Sequence, residues 1–560
     1  MRSARRIGVV SPTDHTENPL RARGTILILN LSMRTASVPA PPVLDRPPTA
    51  TGTCRRAVSR VSATRQCPAT ANGFQRLTVV HNGAVPDTSH PPSSSLNRQV
   101  LSLALPALGA LIAEPLFVLA DSAMVGHLGA VSLAGLSLAS TILTTTVGLF
   151  VFLAYATTAT TARLFGAGRR RRGLRAGVDG MWLALLLGLG TGALLGLTAP
   201  WLTRLMGAHG PVAQAAVAYL RASSPGLPGM FVVLAATGVL RGLLDTRTPF
   251  VVATGGAVLN VVVNAILLYG VGMGIAGSGA GTAIAQTAMA LALARPIVRE
   301  ARAAGVGLLP HREGLRASLG SGTPLLIRSL SLRVAILATV WAATALGDVS
   351  LAAHQVVNAL WTFAAFALDA LAVAAQALIG TALGQAQREA NDSAVTNTEV
   401  DTAADTDADA RTASTTAGWS IDELLRRMLA WGAGTGVLIG VLMAAGAAWL
   451  PRVFTSDAGV IAAAAPALLV AASALPLAGV VYLLDGVLMG AGDGRYLAWA
   501  GLVTLAPYVP LALLIGGGVL PGSSGSASGL VQLWIAFAWV FMAARGTTTY
   551  LRARGTAWRH

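Results

Sequence analysis

Twelve apolar segments follow one another between residues 98 and 550, most of them near or above the twenty or so residues that a bilayer-spanning helix needs. They fall at 99–125, 130–165, 176–203, 211–243, 248–270, 275–300, 319–346, 349–385, 421–449, 458–490, 496–517 and 527–550. Several exceed the minimum length and are expected to tilt or to project past the hydrocarbon. Only 11% of the chain is charged, less than half of the roughly one quarter usual in soluble domains, and mean hydropathy is +0.63. A soluble globule, a mostly disordered chain and a nucleic-acid-binding globule are excluded for the bulk of the sequence. The expected fold class is an all-α polytopic membrane protein.

The placement of arginine sets the orientation. Loops after the even-numbered segments hold Arg169, Arg170, Arg171, Arg172, Arg175, Arg247, Arg302, Arg312, Arg316, Arg388, Arg426, Arg427 and Arg495, and the C-terminal tail holds Arg552, Arg554 and Arg559. Loops after the odd-numbered segments are short and nearly free of arginine, with Arg204 and Arg452 as exceptions. The positive-inside rule puts both termini in the cytoplasm, in a plasma (inner) membrane. All 40 basic residues are arginine, so no lysine is available for a Walker A loop, a Schiff base or a nucleophile. No ATPase domain is expected in the chain.

Two strings recur in order. Leu128-Gly-Ala-Val-Ser-Leu-Ala134 returns as Leu346-Gly-Asp-Val-Ser-Leu-Ala352, and Gly238-Val-Leu-Arg-Gly-Leu-Leu-Asp-Thr-Arg247 returns as Gly486-Val-Leu-Met-Gly-Ala-Gly-Asp-Gly-Arg495. The offsets, about 218 and about 248 residues, are reconciled by one Thr/Ala/Asp-rich insertion at about 389–418. Two six-helix halves with the same orientation are parallel repeats about an axis along the membrane normal, which places a cavity at their interface. The domain reading is an N-terminal lobe at 98–305, a C-terminal lobe at 306–550 carrying a disordered acidic insertion, and a cytoplasmic tail at 551–560. Residues 1–97, rich in Arg, Ser, Thr and Pro, read as a disordered tail or an over-extended start, Met33 being the next methionine. Both cysteines, Cys54 and Cys67, lie in that tail, so neither is expected to serve the apolar body.

Carboxylates inside a membrane are costly and need a partner, a proton or water. Glu114 and Asp121 sit seven residues apart on one face of the first helix, beside Pro115. Asn260 and Asn264, at i and i+4 in the fifth, are candidate partners whose amides can donate to a carboxylate or accept from its protonated form. Interhelical bonding alone is the other reading of these four residues. In the second half Asp369 and Asp485 occupy apolar runs, with Arg328 and Arg333 as neutralising candidates, although Arg328 is near enough to the helix end to snorkel. Gln376, Gln286, His354, Gln355 and Asn358 complete the polar inventory. Trp341, Trp361, Phe363 and Phe366 could form an aromatic wall for a flat cation, or face lipid. Metal-ligand spacings and nucleophile elbows are not evident, so neither an enzyme nor a metal cofactor is expected.

The string Glu114-Pro-Leu-Phe-Val-Leu-Ala-Asp-Ser-Ala-Met-Val-Gly-His-Leu-Gly129 resembles the first helix of the multidrug and toxic compound extrusion (MATE) family, and more narrowly its branch containing DNA-damage-inducible protein F. Segments 240–249 and 484–493, Ala352-Ala-His-Gln-Val, and Leu368-Asp-Ala-Leu-Ala-Val-Ala-Ala-Gln-Ala-Leu-Ile-Gly380 extend the match over about residues 98–550. The resemblance implies two six-helix lobes around a central cleft, and export of drugs or metabolites in exchange for protons or sodium by alternating access. It carries the family's first-helix aspartate onto Asp121 and its fifth-helix asparagine onto Asn260. Where many members have an aspartate four residues further along that helix this chain has Asn264, which favours protons over sodium. The expected partners are a cationic or amphipathic organic substrate and the bilayer, with no nucleic acid, and a monomer is expected. The alternatives are a flippase for a lipid-linked precursor, which should show a strongly cationic central cavity, and an intramembrane enzyme.

Overall fold

A computed structural model of the protein describes residues 93–399, 420–522 and 526–559. Residues 1–92, with Cys54 and Cys67, and most of the acidic insertion lie outside the described residues, whereas 93–97, read as the end of the disordered tail, are helical. Twelve helices among the described residues are long and apolar enough to cross a membrane. They are α1 Leu96–Gly126, α2 Ala130–Gly166, α3 Arg170–Leu205, α4 Gly210–Gly242, α5 Arg247–Gly270, α6 Ile275–Ala303, α7 Arg312–Ala345, α8 Asp348–Ser393, α9 Ile421–Ala445, α10 Ala458–Gly490, α11 Gly494–Gly516 and α12 Ala527–Arg554. Each matches one apolar segment of the sequence. The helix of α8 runs on to Glu399, into the stretch expected to be disordered. Helix-favouring Gln385-Ala-Gln-Arg-Glu-Ala390 carries it forward, and Arg388 pairs with Asp392 at i, i+4.

The two sets of six helices repeat down to single turns. The α4–α5 turn and the α10–α11 turn share one hydrogen-bond pattern: Leu244 N donates to Arg241 O and Asp245 N to Leu240 O, as Gly492 N donates to Met489 O and Asp493 N to Leu488 O. Both turns need a left-handed residue, Gly492 at φ 75° and Leu244 at φ 61°. Leu244 is the one non-glycine residue with positive φ among those described, held at a steric cost of roughly 1–2 kcal/mol because the turn geometry is shared. Close helix contacts repeat as well. A side chain on Gly238 would run into the Ala154 carbonyl, and one on Gly486 into that of Ala372; Gly192 abuts Ser224 as Gly440 abuts Ala472.

Large side chains on the outer faces, such as Leu197, Leu105, Val251, Leu291 and Trp499, are exposed, as a lipid-facing surface requires. The interior is small and close-packed. The halves meet where α2 and α8 approach the arginine-rich end of the bundle. There Ala107 packs on Ala370 and Val373, Gln376 Nε2 donates to Tyr155 O at 2.8 Å, and Arg163 Nη1 donates to Ala491 O at 2.8 Å. Gly384 lies directly against the Arg163 carbonyl and the Ala167 amide, so any side chain there would collide with backbone. Gly384→Val is therefore expected to lower stability by about 1–3 kcal/mol, the usual cost of overpacking. The readout is the thermal midpoint of the purified protein; a midpoint equal to wild type would mean that the two helices do not press together at this point.

Candidate functional site

Asp121 is 3% exposed and sits in a cage built by four helices. Its Oδ1 accepts from Asn264 Nδ2 of α5 at 2.9 Å and from the Ser278 hydroxyl of α6, and its Oδ2 accepts from the Tyr219 hydroxyl of α4 at 3.3 Å. Asn260 and Asn264 bond to each other, Asn264 Nδ2 to Asn260 Oδ1 at 3.2 Å, and Thr282 Oγ1 lies 3.5 Å from both Asn260 Nδ2 and the Tyr219 hydroxyl. Every member of the cage is buried. The i, i+4 spacing that suggested a shared face for the asparagines places Asn264 on the carboxylate and Asn260 behind it, bonded to Asn264. Two of the three donors to Asp121 are hydroxyls, which can turn from donor to acceptor, so one cage can hold either charge state of the carboxyl.

Tyr219, Ser278 and Thr282 were not singled out from sequence. Serine, threonine and tyrosine in apolar helices are commonly satisfied by their own backbone, as Thr146 and Thr158 are here, and carry no signal of their own. The second half does not rebuild the cage. By the repeat register Asp121 corresponds to Thr339 and Asn260 to Tyr508, and those two hydroxyls bond to each other, buried and uncharged.

Beside the cage is a chamber of about 250 Å³ lined by Glu114, Asp121, Tyr155, Tyr219, Arg241, Gln286 and Asp369 among others. Glu114 is exposed to it and has no hydrogen bond or ion pair among the described residues. A second chamber, about 370 Å³, lies between α2, α7, α8, α10 and α12. The two share Val151, Tyr155 and Asp369. In the second chamber Asp485 is held by two guanidiniums, Arg328 Nη2 at 2.7 Å and Arg545, all three buried. Arg328 therefore does not snorkel: it is committed inward by the carboxylate. Arg545, from α12, and Arg241, from α4, are charged lining residues that sequence reasoning left unassigned; both fall near the ends of their apolar segments, where arginine is expected to face the aqueous boundary.

Of the aromatic candidates, Trp361 and Phe366 line the second chamber. Trp361 also packs on Trp534 and Phe537 at centroid distances of 5.9 and 5.8 Å. Trp341 and Phe363 are 50% and 55% exposed and line neither chamber, which removes them as cavity contacts. The helices are apolar on every face, so no periodicity marks which aromatics point inward. Gln376 is also outside both chambers; it ties α8 to the α2 backbone. Asn358 lines the second chamber, and His354 is buried 5.6 Å from the Trp534 ring, with its Nδ1 unpartnered.

The MatE family model matches residues 106–266, the stretch that carries Glu114, Asp121, Tyr219, Asn260 and Asn264. Protein DETOXIFICATION 44, chloroplastic, of Arabidopsis thaliana is 27% identical over 526 residues, 90% of this chain and 91% of that protein. The fold is that of the MATE transporter VcmN of Vibrio cholerae in its bent form, with a TM-score of 0.66 at 22% identity over 82% of this chain and 98% of that one.

The chain is thus similar to MATE transporters in sequence and in fold. DNA damage-inducible protein F of Escherichia coli strain K12, another relative, is 29% identical over 300 residues, 52% of this chain and 64% of that protein. MatE-family proteins are transporters and not enzymes. In this chain the spans covered by the MatE match supply four of the six cage residues, Asp121, Tyr219, Asn260 and Asn264, and α6 adds Ser278 and Thr282.

Proposed function

We propose that this protein is a secondary exporter that expels amphipathic organic molecules in exchange for protons by alternating access. The observation that carries the reading is the Asp121 cage: a single buried carboxyl, gripped by neutral donors from α4, α5 and α6, bordering a chamber large enough to enter. Protonation of Asp121 changes what the Ser278 and Tyr219 hydroxyls can do, and so changes how α1 is held against its neighbours. A site whose charge state alters helix packing can bias one cavity orientation over the other, which is the differential affinity that coupling requires. The neutral Asn264 leaves the cage with one carboxylate, which suits a proton better than sodium, because fewer charged oxygen ligands hold a metal cation less tightly. With the arginine-rich end in the cytoplasm of a plasma-membrane protein, the contact of α2 with α8 closes the cytoplasmic side and the cavity faces outward. The residues assigned to substrate are Glu114, Trp361 and Phe366.

The test is uptake of a fluorescent organic cation into everted vesicles or proteoliposomes under an imposed pH gradient, then under a sodium gradient. Uphill movement driven by the pH gradient and collapsed by a protonophore is the expected result. Accumulation driven by sodium alone would replace the proton with sodium. No movement under either gradient by correctly folded protein would exclude drug antiport and direct attention to lipid scrambling.

A further inference from the structure

The second chamber has the wrong electrostatics for a site that holds only cations. Arg328 and Arg545 share the one carboxylate of Asp485, leaving that triad with a net positive charge. Arg333 lines the same chamber and has no ion pair or hydrogen bond among the described residues. Its guanidinium is lodged against the backbone of Gly148 on α2, in a slot that any side chain at that position would fill. A planar guanidinium of this kind presents paired N–H donors matched to a carboxylate or other oxyanion. Trp361 and Phe366 wall the chamber beside it. The first chamber has the opposite balance, with Glu114 and Asp121 against Arg241; Asp369 lines both chambers, and with it counted the second still holds three guanidiniums against two carboxylates. The chambers meet at Tyr155 and Asp369, and their volumes, about 250 and about 370 Å³, together match a drug-sized ligand.

We propose that Arg333, backed by the excess charge of the Arg328–Asp485–Arg545 triad, binds an anionic group of the transported molecule, which is therefore amphoteric: a carboxylate-bearing end in the second chamber and a cationic end toward Glu114 in the first. This rests on the exporter reading of the same cavity and adds the substrate class to it. An unpartnered guanidinium in the membrane interior needs an anion or water, and the Gly148 slot directs this one into the chamber. Such a site selects by charge pairing: a molecule with no acid leaves Arg333 unmatched, and one with no cation leaves Glu114 unmatched.

The experiment uses a xanthene dye with a cationic ring system and a free benzoate, against its methyl ester, which is nearly the same size and keeps only the cation. Affinities of both for the purified full chain in nanodiscs, read by fluorescence polarisation without any gradient, are expected to favour the acid by about tenfold. Arg333→Gln is expected to bring the acid-to-ester ratio close to one, and Arg333→Lys to keep part of it; matched thermal midpoints exclude misfolding. Equal binding of acid and ester by wild type, or an acid preference that survives Arg333→Gln, overturns the proposal. Displacement of the acid by dihexanoyl phosphatidylglycerol but not by dihexanoyl phosphatidylcholine would assign the anion to a lipid headgroup and overturn the soluble amphoteric substrate. Acid-selective binding without gradient-driven transport would sink the exporter reading and leave the anion site standing; transport of the ester alone would do the reverse.

Discussion

Asp121→Asn is expected to abolish most gradient-driven transport while leaving the protein folded. Asparagine has the shape of the carboxylate and can still accept from Asn264 and from the Ser278 hydroxyl, so the four-helix junction keeps most of its hydrogen bonds. What it loses is the proton. Allosteric coupling is worth about 1–3 kcal/mol, so the pH-gradient-driven rate should fall by about 5- to 150-fold. The thermal midpoint should stay near that of wild type, and dye binding measured without a gradient should survive. A variant that still accumulates dye uphill would show that the coupling proton rides on another group, with Glu114 next in line because it faces the same chamber unpartnered. A collapse of the thermal midpoint instead would make Asp121 a structural tie between helices.

The largest effect on stability is expected at Asp485. Its carboxylate is the shared anion of two buried guanidiniums on α7 and α12, and Asp485→Ala leaves both facing each other without it. Breaking a buried ion pair by removing one partner costs about 3–5 kcal/mol, because the remaining charge is uncompensated. The check is thermal unfolding of the purified variant, together with its yield in the membrane. Arg545→Met in the same chain should recover part of the loss by removing the like-charge repulsion, a coupling that a double-mutant cycle reads directly. An Asp485→Ala protein as stable as wild type would mean that the chamber is wet enough to screen the arginines, and that the triad contributes charge to the site without holding α7 to α12.

Much of this architecture was legible before any coordinates. Hydropathy returns the twelve spans because hydrocarbon tolerates few charged groups, so loops and helices separate cleanly by composition. The same scarcity exposes Glu114, Asp121, Asn260, Asn264, Asp369 and Asp485, since a carboxylate or amide in such a segment has few neutral explanations. The repeat is visible because turns such as 238–247 and 486–495 demand the same backbone geometry, and Leu244 shows how strongly: it takes a glycine's conformation to preserve it.

What these residues do to one another was decided only by tertiary structure. A helix that is apolar on every side gives no periodic cue to its rotation, so Trp341 and Trp361, or Phe363 and Phe366, are indistinguishable in sequence although one of each pair faces outward. Ser278, Thr282 and Tyr219 become ligands of Asp121 only because α4, α5 and α6 converge on α1. Arg545 lies sixty residues from Asp485, and Arg328 more than twice as far, so their shared ion pair has no local signature. The sequence by itself determined the number of spans, their repeat and the identity of the costly buried charges, because burying a charge in lipid is a local penalty written into composition. The pairing of those charges, and the division of the cavity into an acidic and a basic chamber, depended on packing, because pairing is set by distances that only the assembled helices define.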